Sequence, residues 1–221
     1  MAGKRVAVIG TGSTGIQIAH EVSKDAKELV VFQRTPNTAL PMRQYKKAEL
    51  STLTNKYSTL LSARKTSYSG FEFNFLPKAT FDDTPEERQE QYEALWKEGD
   101  FQFWLGTYYD MLFNADANRE AYNFWRDKTR ARINDSRVKD LLAPMEQPYS
   151  FGCKRISLEN GFFEIFNQDN VHLVNIKETP IEEFTERGLK TSEKEWEFDY
   201  IVMATGYDYH RRPKTNRHPR S

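Results

Sequence analysis

The sequence of 221 residues contains a single cysteine, Cys153, which excludes an internal disulfide bond and a zinc site built from several cysteines. Its four histidines, His20, His172, His210 and His218, are scattered and lack the spacing of metal ligands. The sequence also lacks a Gly-x-Ser-x-Gly elbow, a Walker loop and the Tyr-x-x-x-Lys pair that short-chain dehydrogenases use. These absences argue against the common serine hydrolases, P-loop enzymes and metal-centred catalysts.

The sequence also carries no excess charge, because 32 basic residues balance 32 acidic ones. A neutral balance gives no reason to expect a nucleic acid or an anionic membrane as partner. Apolar runs are far shorter than the roughly 20 residues that span a bilayer, and no signal-like segment precedes the first strand. We therefore expect a soluble, cytoplasmic protein. Because hydrophobic residues make up only 38% and aromatic residues 14%, rings should supply much of the core.

A strand, a glycine turn, a helix and a second strand follow one another near the start of the sequence. Arg5–Ile9 is a β-branched run ending at glycine, and the apolar spacing from Ile16 predicts a helix to about Lys24. Leu29–Phe32 is the second strand. This β-α-β order is typical of α/β nucleotide-binding domains.

The glycine turn has the spacing Gly-x-Gly-x-x-Gly at Gly10, Gly12 and Gly15. In a dinucleotide-binding turn the first glycine allows the sharp bend, the second admits the pyrophosphate, and the third lets helix and strand pack closely. Ser13 and Thr14 add hydroxyl donors at a helix start, where phosphate is favoured. An ordinary glycine-rich turn is the alternative, but the position between strand and helix favours dinucleotide binding.

The second strand lacks the acidic residue that would bind a ribose 2′-hydroxyl in NAD or FAD. It ends on Gln33, Arg34 and Thr35. A guanidinium can pair with the 2′-phosphate of NADP, and a threonine hydroxyl can donate to it. The strand end therefore indicates NADP, although a solvated surface cation is the alternative interpretation of Arg34.

The middle of the sequence, residues 45–140, is charged, aromatic and helical in pattern. Thr84, Pro85 and Glu87 form the signature of a capped helix start, and Ala117–Ile133 predicts a second helix. Strands return at 171–174, 181–184, 189–191, 196–198 and 200–204, with a turn at Arg187-Gly188. We predict an α/β, Rossmann-like domain of residues 1–44 and 141–207, a helical insertion over 45–140, and a basic, disordered tail over 208–221.

A second cationic stretch, Ser150–Ile156, precedes a predicted helix. Lys154 and Arg155 have no acidic residue within three positions on either side, which indicates either an anionic ligand or pairing with acids distant in sequence. Cys153 beside these cations could be reactive, but without a neighbouring histidine or second cysteine we expect a small packed side chain.

An ordered set of motifs resembles the Baeyer–Villiger monooxygenases, within the wider group of flavin-containing monooxygenases. The set comprises Lys4–Gln17, Val31–Pro36, Phe151–Arg155, Asn170–Val174, Pro180-Ile181 and Ala204–Tyr207. The resemblance is weakest in the predicted insertion and absent from the tail. It implies a glutathione-reductase-like flavoprotein with two dinucleotide-binding domains, which uses FAD and NADPH to insert one oxygen of O₂ into a ketone and form an ester or lactone.

The resemblance also implies roles for individual residues. Arg155 matches the active-site arginine, whose fixed charge can stabilise negative charge that develops during the reaction. Arg34 and Thr35 would hold the 2′-phosphate of NADP with help from Lys154. The remaining residues expected at the cofactor are those of the glycine turn and of the last strand end, namely Gly10, Thr11, Gly12, Ser13, Thr14, Gly15, Gln17, Ala204, Thr205 and Gly206.

The sequence departs from the family because it contains neither a second glycine motif for FAD nor the Phe-x-Gly-x-x-x-His-x-x-x-Trp fingerprint. We therefore expect a fragment, the NADP-binding portion, which is inactive by itself. A non-catalytic NADP-binding module and an N- or S-oxygenating flavin monooxygenase remain alternatives. A flavin-free NADP reductase is disfavoured by the missing Tyr-Lys pair.

Overall fold

A computed structural model of the chain describes residues 1–44 and 54–206. The predicted basic tail, 208–221, lies outside the described residues, as do Tyr207 and residues 45–53 of the predicted insertion. None of the helices in the described ranges has the length and apolar character needed to span a lipid bilayer.

A four-stranded parallel sheet forms the centre of the fold. Its strands are β1 (Arg5–Ile9), β2 (Glu28–Gln33), β5 (Val171–Asn175) and β9 (Tyr200–Met203). Their spatial order is β5-β2-β1-β9. These bounds confirm the predicted strands to within about a residue, the usual uncertainty at strand ends. The sheet, with helix α1 (Ser13–Ser23) joining β1 to β2, confirms the α/β Rossmann-like class.

Successive side chains in a strand point to opposite sides of the sheet. Because successive side chains of β1 and β2 are buried, both faces of these strands are covered. On one face, Val6 and Val31 pack with Ile16 of α1 in the larger hydrophobic cluster. On the other face, Ala7 and Phe32 pack against an antiparallel sheet. That sheet is the predicted meander: β6 (Ile181–Thr185), β7 (Gly188–Thr191) and β8 (Glu195–Glu197).

Helices follow β2 and the two-residue strand β3 (Leu40–Pro41). Their bounds are α2 (Tyr57–Ala63), α3 (Pro85–Glu98), α4 (Gln102–Leu105), α5 (Ala115–Arg130) and α6 (Ser136–Leu142). The predicted capping box on α3 is present, since the Thr84 hydroxyl accepts from the Glu87 amide and the Glu87 carboxylate accepts from the Thr84 amide. Helix α5 begins two residues before the predicted start, where the Asn114 side chain caps it, and ends three residues before the predicted end.

Aromatic rings fill the core of the helical part, as the composition predicts. The largest fully buried side chains include Trp125, Tyr92, Tyr108 and Tyr122. Trp125 also joins the helices to the chain that leaves β2, because its indole Nε1 donates to the Ala39 carbonyl at 2.8 Å. The helices and the sheet therefore share one hydrophobic cluster rather than forming separate cores.

No α-helix follows the cationic stretch within the described residues, so the helix predicted after Arg155 is wrong. The chain instead forms the short strand β4 (Leu158–Glu159), which pairs with β3, and a single 3₁₀ turn (Glu164–Asn167). The Glu159 carboxylate accepts hydrogen bonds from the amides of Gly161 and Phe162 and holds them in a turn.

Glu159 is also one end of a buried ion-pair cluster. Its side chain is 0% exposed, and it lies 2.8 and 3.1 Å from two guanidinium nitrogens of Arg132, which follows α5. The same guanidinium binds Glu164 at 2.6 and 2.8 Å. Burial opposes ionisation of Glu164, but the hydrogen bonds and charge of Arg132 outweigh it and lower the pKa of that carboxyl.

Replacing Arg132 should therefore destabilise the protein severely. Arg132→Leu leaves the Glu159 carboxylate buried without its counter-charge, and such a loss costs about 3–5 kcal/mol of unfolding free energy. Arg187→Leu is the matched control, because Arg187 is 79% exposed beside Glu197 and should contribute less than about 1 kcal/mol. Urea unfolding measures both, and similar losses for the two variants would contradict the prediction.

Candidate dinucleotide-binding site

The glycine turn lies where the ends of β1 and β9 meet. Gly10 has φ +106°, and a Cβ added there would lie 2.4 Å from the Ala204 carbonyl oxygen. The amide of Ala204 donates to the Ile9 carbonyl at 2.9 Å, which keeps the two strand ends together. Gly10 is therefore glycine both for its backbone conformation and for this close approach.

Gly15 serves the packing of α1. A Cβ at Gly15 would lie 2.0 Å from the Gly10 carbonyl oxygen, so the first turn of the helix rests directly on the glycine turn. A helix this close to β1 confirms the sequence interpretation that the third glycine permits tight helix–strand packing.

Gly12 differs from the other two glycines. Its φ of −74° suits any residue, and a Cβ there would meet no atom within 4 Å. The fold itself therefore has no need of glycine at this position. Gly12 is also the N-cap of α1, and no side chain accepts a hydrogen bond from the amides at this positive helix end. An anionic group that approaches the backbone closely would account for both features.

A cavity of about 320 Å³ opens at this edge of the sheet. The cavity lies beside the carboxyl ends of β1 and β9, and the strand order reverses between these two strands. This is the place where α/β sheets bind ligands. Ten of the predicted site residues line it: Gly10, Thr11, Gly12, Arg34, Thr35, Lys154, Arg155, Ala204, Thr205 and Gly206.

The other four predicted residues do not line the cavity. Gly15 is buried under α1, and the Ser13 hydroxyl hydrogen-bonds to that of Ser157 at 2.7 Å. Thr14 and Gln17 are exposed on the first turns of α1. Ser13 and Thr14 can still contribute backbone amides at the helix start, whereas Gln17 lies farther along the helix.

Three exposed cations line the same cavity from two distant parts of the sequence. Arg34 follows β2, whereas Lys154 and Arg155 lie in the loop after α6. Among residues 1–44 and 54–206, no carboxylate lies within ion-pair distance of any of the three. The structure thus does not supply the distant acids that were the alternative explanation of Lys154 and Arg155. An anionic ligand is the partner that this concentration of positive charge fits.

The loop after β2 is fixed to the glycine turn by hydrogen bonds. The Thr11 hydroxyl donates to the Thr35 carbonyl at 3.1 Å, and the Asn37 amide donates to the Thr11 carbonyl at 3.1 Å. Gln33, by contrast, is buried, and its amide donates to the Leu141 carbonyl of α6 at 2.8 Å. Gln33 therefore joins β2 to the helices, and the exposed side chain at the strand end is Arg34.

The loop that carries the other two cations is anchored by Asn118 of α5. The buried Asn118 amide nitrogen donates to the carbonyls of Met111 and Phe151, both at 2.9 Å. Its amide oxygen accepts from the Phe151 backbone and from the Gln147 side chain, both at 2.7 Å. One helix side chain thus holds both ends of the segment 147–151, directly before the cations.

Cys153 is exposed in this loop, so the expectation of a packed side chain is wrong. Gly152 has φ +79°, and the Cys153 amide donates to the Ser150 carbonyl at 3.1 Å, which closes a turn that directs residue 153 outward. Gly152 itself is held against the Trp104 indole, where a Cβ would lie 2.4 Å from Nε1.

Sequence reasoning missed six residues that line the cavity, of which two, Asn37 and Tyr149, carry polar side chains. Asn37 comes directly after the Thr35-Pro36 pair, and Tyr149 precedes the cationic stretch by one residue. The Tyr149 hydroxyl donates to the Pro36 carbonyl at 2.8 Å, and the Lys154 ammonium lies 4.2 Å from the centre of its ring. The available signal in the sequence was a tyrosine close to Lys154 and Arg155, two cations without an acidic residue within three positions.

The parallel sheet, the glycine turn and the cationic cavity at the switch point define a Rossmann-type dinucleotide-binding fold. Comparisons with known proteins narrow this class. The chain is 49% identical to cyclopentanone 1,2-monooxygenase of Comamonas sp. and 34% identical to a Baeyer–Villiger monooxygenase of Pseudooceanicola batsensis, each over 94% of its length. No family model matches the chain.

A solved structure gives the same result. The crystal structure of OTEMO in complex with FAD and NADP superposes with a TM-score of 0.88 at 39% identity and covers 94% of this chain. The chain is therefore homologous to one portion of the Baeyer–Villiger and other FAD-binding monooxygenases. It spans about 38% of the length of the Comamonas relative, the Pseudooceanicola relative and OTEMO.

The glycines provide a matched pair of variants. Gly15→Ala forces a Cβ against backbone and should lower the unfolding free energy by about 2 kcal/mol or more. Gly12→Ala places the same methyl group in open space at a permitted φ and should cost at most about 1 kcal/mol, the usual penalty for alanine at an N-cap. Thermal unfolding of the two variants beside the parent decides this, and an equal loss at both positions would contradict it.

Proposed function

We propose that this chain is the NADP-binding portion of an FAD- and NADPH-dependent monooxygenase of the Baeyer–Villiger type. The observation that carries the proposal is the open space at Gly12 combined with three cations around one cavity that have no carboxylate partner among the described residues. NADP has a pyrophosphate and a 2′-phosphate, and the two features provide a place for each. The solved complex of OTEMO with FAD and NADP supports the assignment.

The residues of the glycine turn suit the pyrophosphate. Gly12 leaves the backbone open to approach, and the uncapped first turn of α1 offers amide donors from Ser13, Thr14 and Gly15. Gly10 and Thr11 shape the turn, and Ala204, Thr205 and Gly206 close the cavity from the end of β9. The family resemblance places Gln17 among the cofactor residues, but Gln17 does not line the cavity.

Arg34 and Thr35 suit the 2′-phosphate, and Lys154 lines the same cavity. A guanidinium presents a fork of donors that matches phosphate oxygens, and an ammonium adds charge without fixed geometry. The strand end carries no carboxylate that would repel this phosphate, because its residues are Gln33, Arg34 and Thr35. Gln33 itself is buried and donates to the Leu141 carbonyl. The end of β2 is therefore arranged for NADP rather than for NAD.

Arg155 is the proposed catalytic residue. Its guanidinium lines the cavity without a carboxylate partner among the described residues. A cation fixed at that edge can stabilise negative charge as it develops on a reacting group. When bound, NADPH supplies a hydride, and in flavin monooxygenases the acceptor of that hydride is FAD.

The substrate is proposed to be a small ketone, converted to an ester or lactone. The Comamonas relative is named for cyclopentanone, and that name is the support for this substrate class. The cytoplasmic location expected from the sequence stays a prediction.

Arg34→Ala tests the cofactor assignment. Removing a charged donor from a phosphate costs about 1.5–3 kcal/mol, so the Kd for NADPH should rise about tenfold or more while that for NADH changes little. Arg119→Ala is the control, because Arg119 is an exposed cation of α5 that does not line the cavity. Equal losses for NADPH and NADH would remove the main support for NADP.

The purified 221-residue chain tests the second half of the proposal. Because its sequence has one dinucleotide glycine motif, we expect NADPH binding without flavin absorbance and without ketone-dependent NADPH oxidation. Titration with NADPH and an absorbance spectrum with and without added FAD measure this. Bound FAD together with turnover of cyclopentanone would show that the chain is a complete enzyme.

A further inference from the structure

We propose that Tyr149 is a positioning residue that sets the preference for NADP over NAD by holding Lys154 at the 2′-phosphate end of the cavity. The inference rests on the proposed NADP-binding function and deepens it. Tyr149 lines the cavity between the two cation-bearing segments, the loop after β2 and the loop after α6.

Tyr149 contacts both segments through different parts of its side chain. The hydroxyl donates to the Pro36 carbonyl at 2.8 Å, two residues after Arg34. The ring face holds the Lys154 ammonium 4.2 Å from its centroid, a distance at which a cation is attracted by the π electrons. One side chain therefore connects two segments whose contact residues are 113 positions apart.

The chemical state of Tyr149 suits this role. Burial raises the pKa of its hydroxyl, so the phenol stays protonated and remains a donor to Pro36 at neutral pH. A neutral ring keeps the negative π face that attracts an ammonium. The four hydrogen bonds of Asn118 hold the segment 147–151 independently. The backbone of Tyr149 is therefore held in place.

Lys154 needs such a restraint because its side chain is exposed and has no carboxylate partner in the described ranges. A free lysine side chain carries about 2 kcal/mol of rotamer entropy, which binding a phosphate would have to overcome. Contact with the ring restricts the ammonium beforehand, and the same ring is bonded to the loop that carries Arg34. Because NADP and NAD differ only in the 2′-phosphate, this restraint should favour NADP alone.

The test is a set of variants in which the Kd values of NADP⁺ and NAD⁺ are measured by calorimetry. Tyr149→Met replaces the ring with an apolar side chain of similar length. A surface cation–π contact is worth about 0.5–1 kcal/mol, so affinity for NADP⁺ should fall about two- to fivefold and that for NAD⁺ should not change. Tyr149→Phe keeps the ring and should retain most of the preference, and Tyr149→Leu repeats the test should the methionine variant be unstable.

A double-mutant cycle shows whether Tyr149 acts through Lys154. In a Lys154→Ala background, Tyr149→Met should cause no further loss of NADP⁺ affinity, because the group that it holds is gone. An additive loss, an equal loss for NAD⁺, or a phenylalanine variant as weak as the methionine variant would overturn the inference. Each of these results would assign Tyr149 a purely structural role.

The outcome also separates this inference from the proposed function. If Arg34→Ala and Lys154→Ala both shift the ratio of NADP⁺ to NAD⁺ affinity and Tyr149→Met does not, only the role of Tyr149 fails. If none of the three shifts the ratio, the NADP assignment itself fails. Thermal unfolding of every variant establishes that the compared proteins are folded.

Discussion

The first turn of α1 rests on the glycine turn with no room for a methyl group between them, and this contact determines how the site is built. The missing Cβ of Gly15 lets the helix start directly over the Gly10 carbonyl, and the missing Cβ of Gly10 lets β9 end beside β1. The helix start and two strand ends are thereby brought to one edge. Gly12 is left facing the space between them, so the geometry that closes the fold also leaves the place where a phosphate can approach.

The helical part of the chain contributes structure to the site although none of the helices α2 to α6 lines the cavity. Asn118 of α5 fixes the cationic loop, Leu141 of α6 fixes the end of β2 through Gln33, and Trp125 fixes the chain that leaves β2. These bonds come from helices and end on the segments that carry Arg34, Lys154 and Arg155. A cation on a loop is useful only if the loop is held, and the helices provide that support.

Local patterns in the sequence predicted the parts of the structure that depend on local interactions. The β-α-β unit, the capping box at Thr84 and the meander turn at Arg187-Gly188 each arise from residues within a few positions of one another. Ten of the fourteen predicted site residues line the cavity, because the family motifs that contain them lie at strand ends and at the cationic loop.

The features that sequence reasoning did not find depend on contacts between distant residues. Tyr149 reaches Pro36 across 113 positions, and Asn118 reaches Phe151 across 33, separations at which no periodicity indicates a partner. The exposure of Cys153 follows from the positive φ of Gly152, which directs the next side chain outward. The two-residue strands β3 and β4 are too short to leave a pattern, and their pairing is a further long-range contact.

The strand order has a consequence for how the protein is made on the ribosome. Strand β1 pairs on one side with β2, which is synthesised soon after it, but on the other side with β9, and the Arg5 amide bonds to Asp199, 194 positions later. Contacts across such long loops form late, because the entropy of closing the loop must be overcome first. The helices and the β1-β2 pair can assemble while the chain is still growing. The cavity, which needs Ala204, Thr205 and Gly206, is completed only after β9 has been synthesised and has paired with β1.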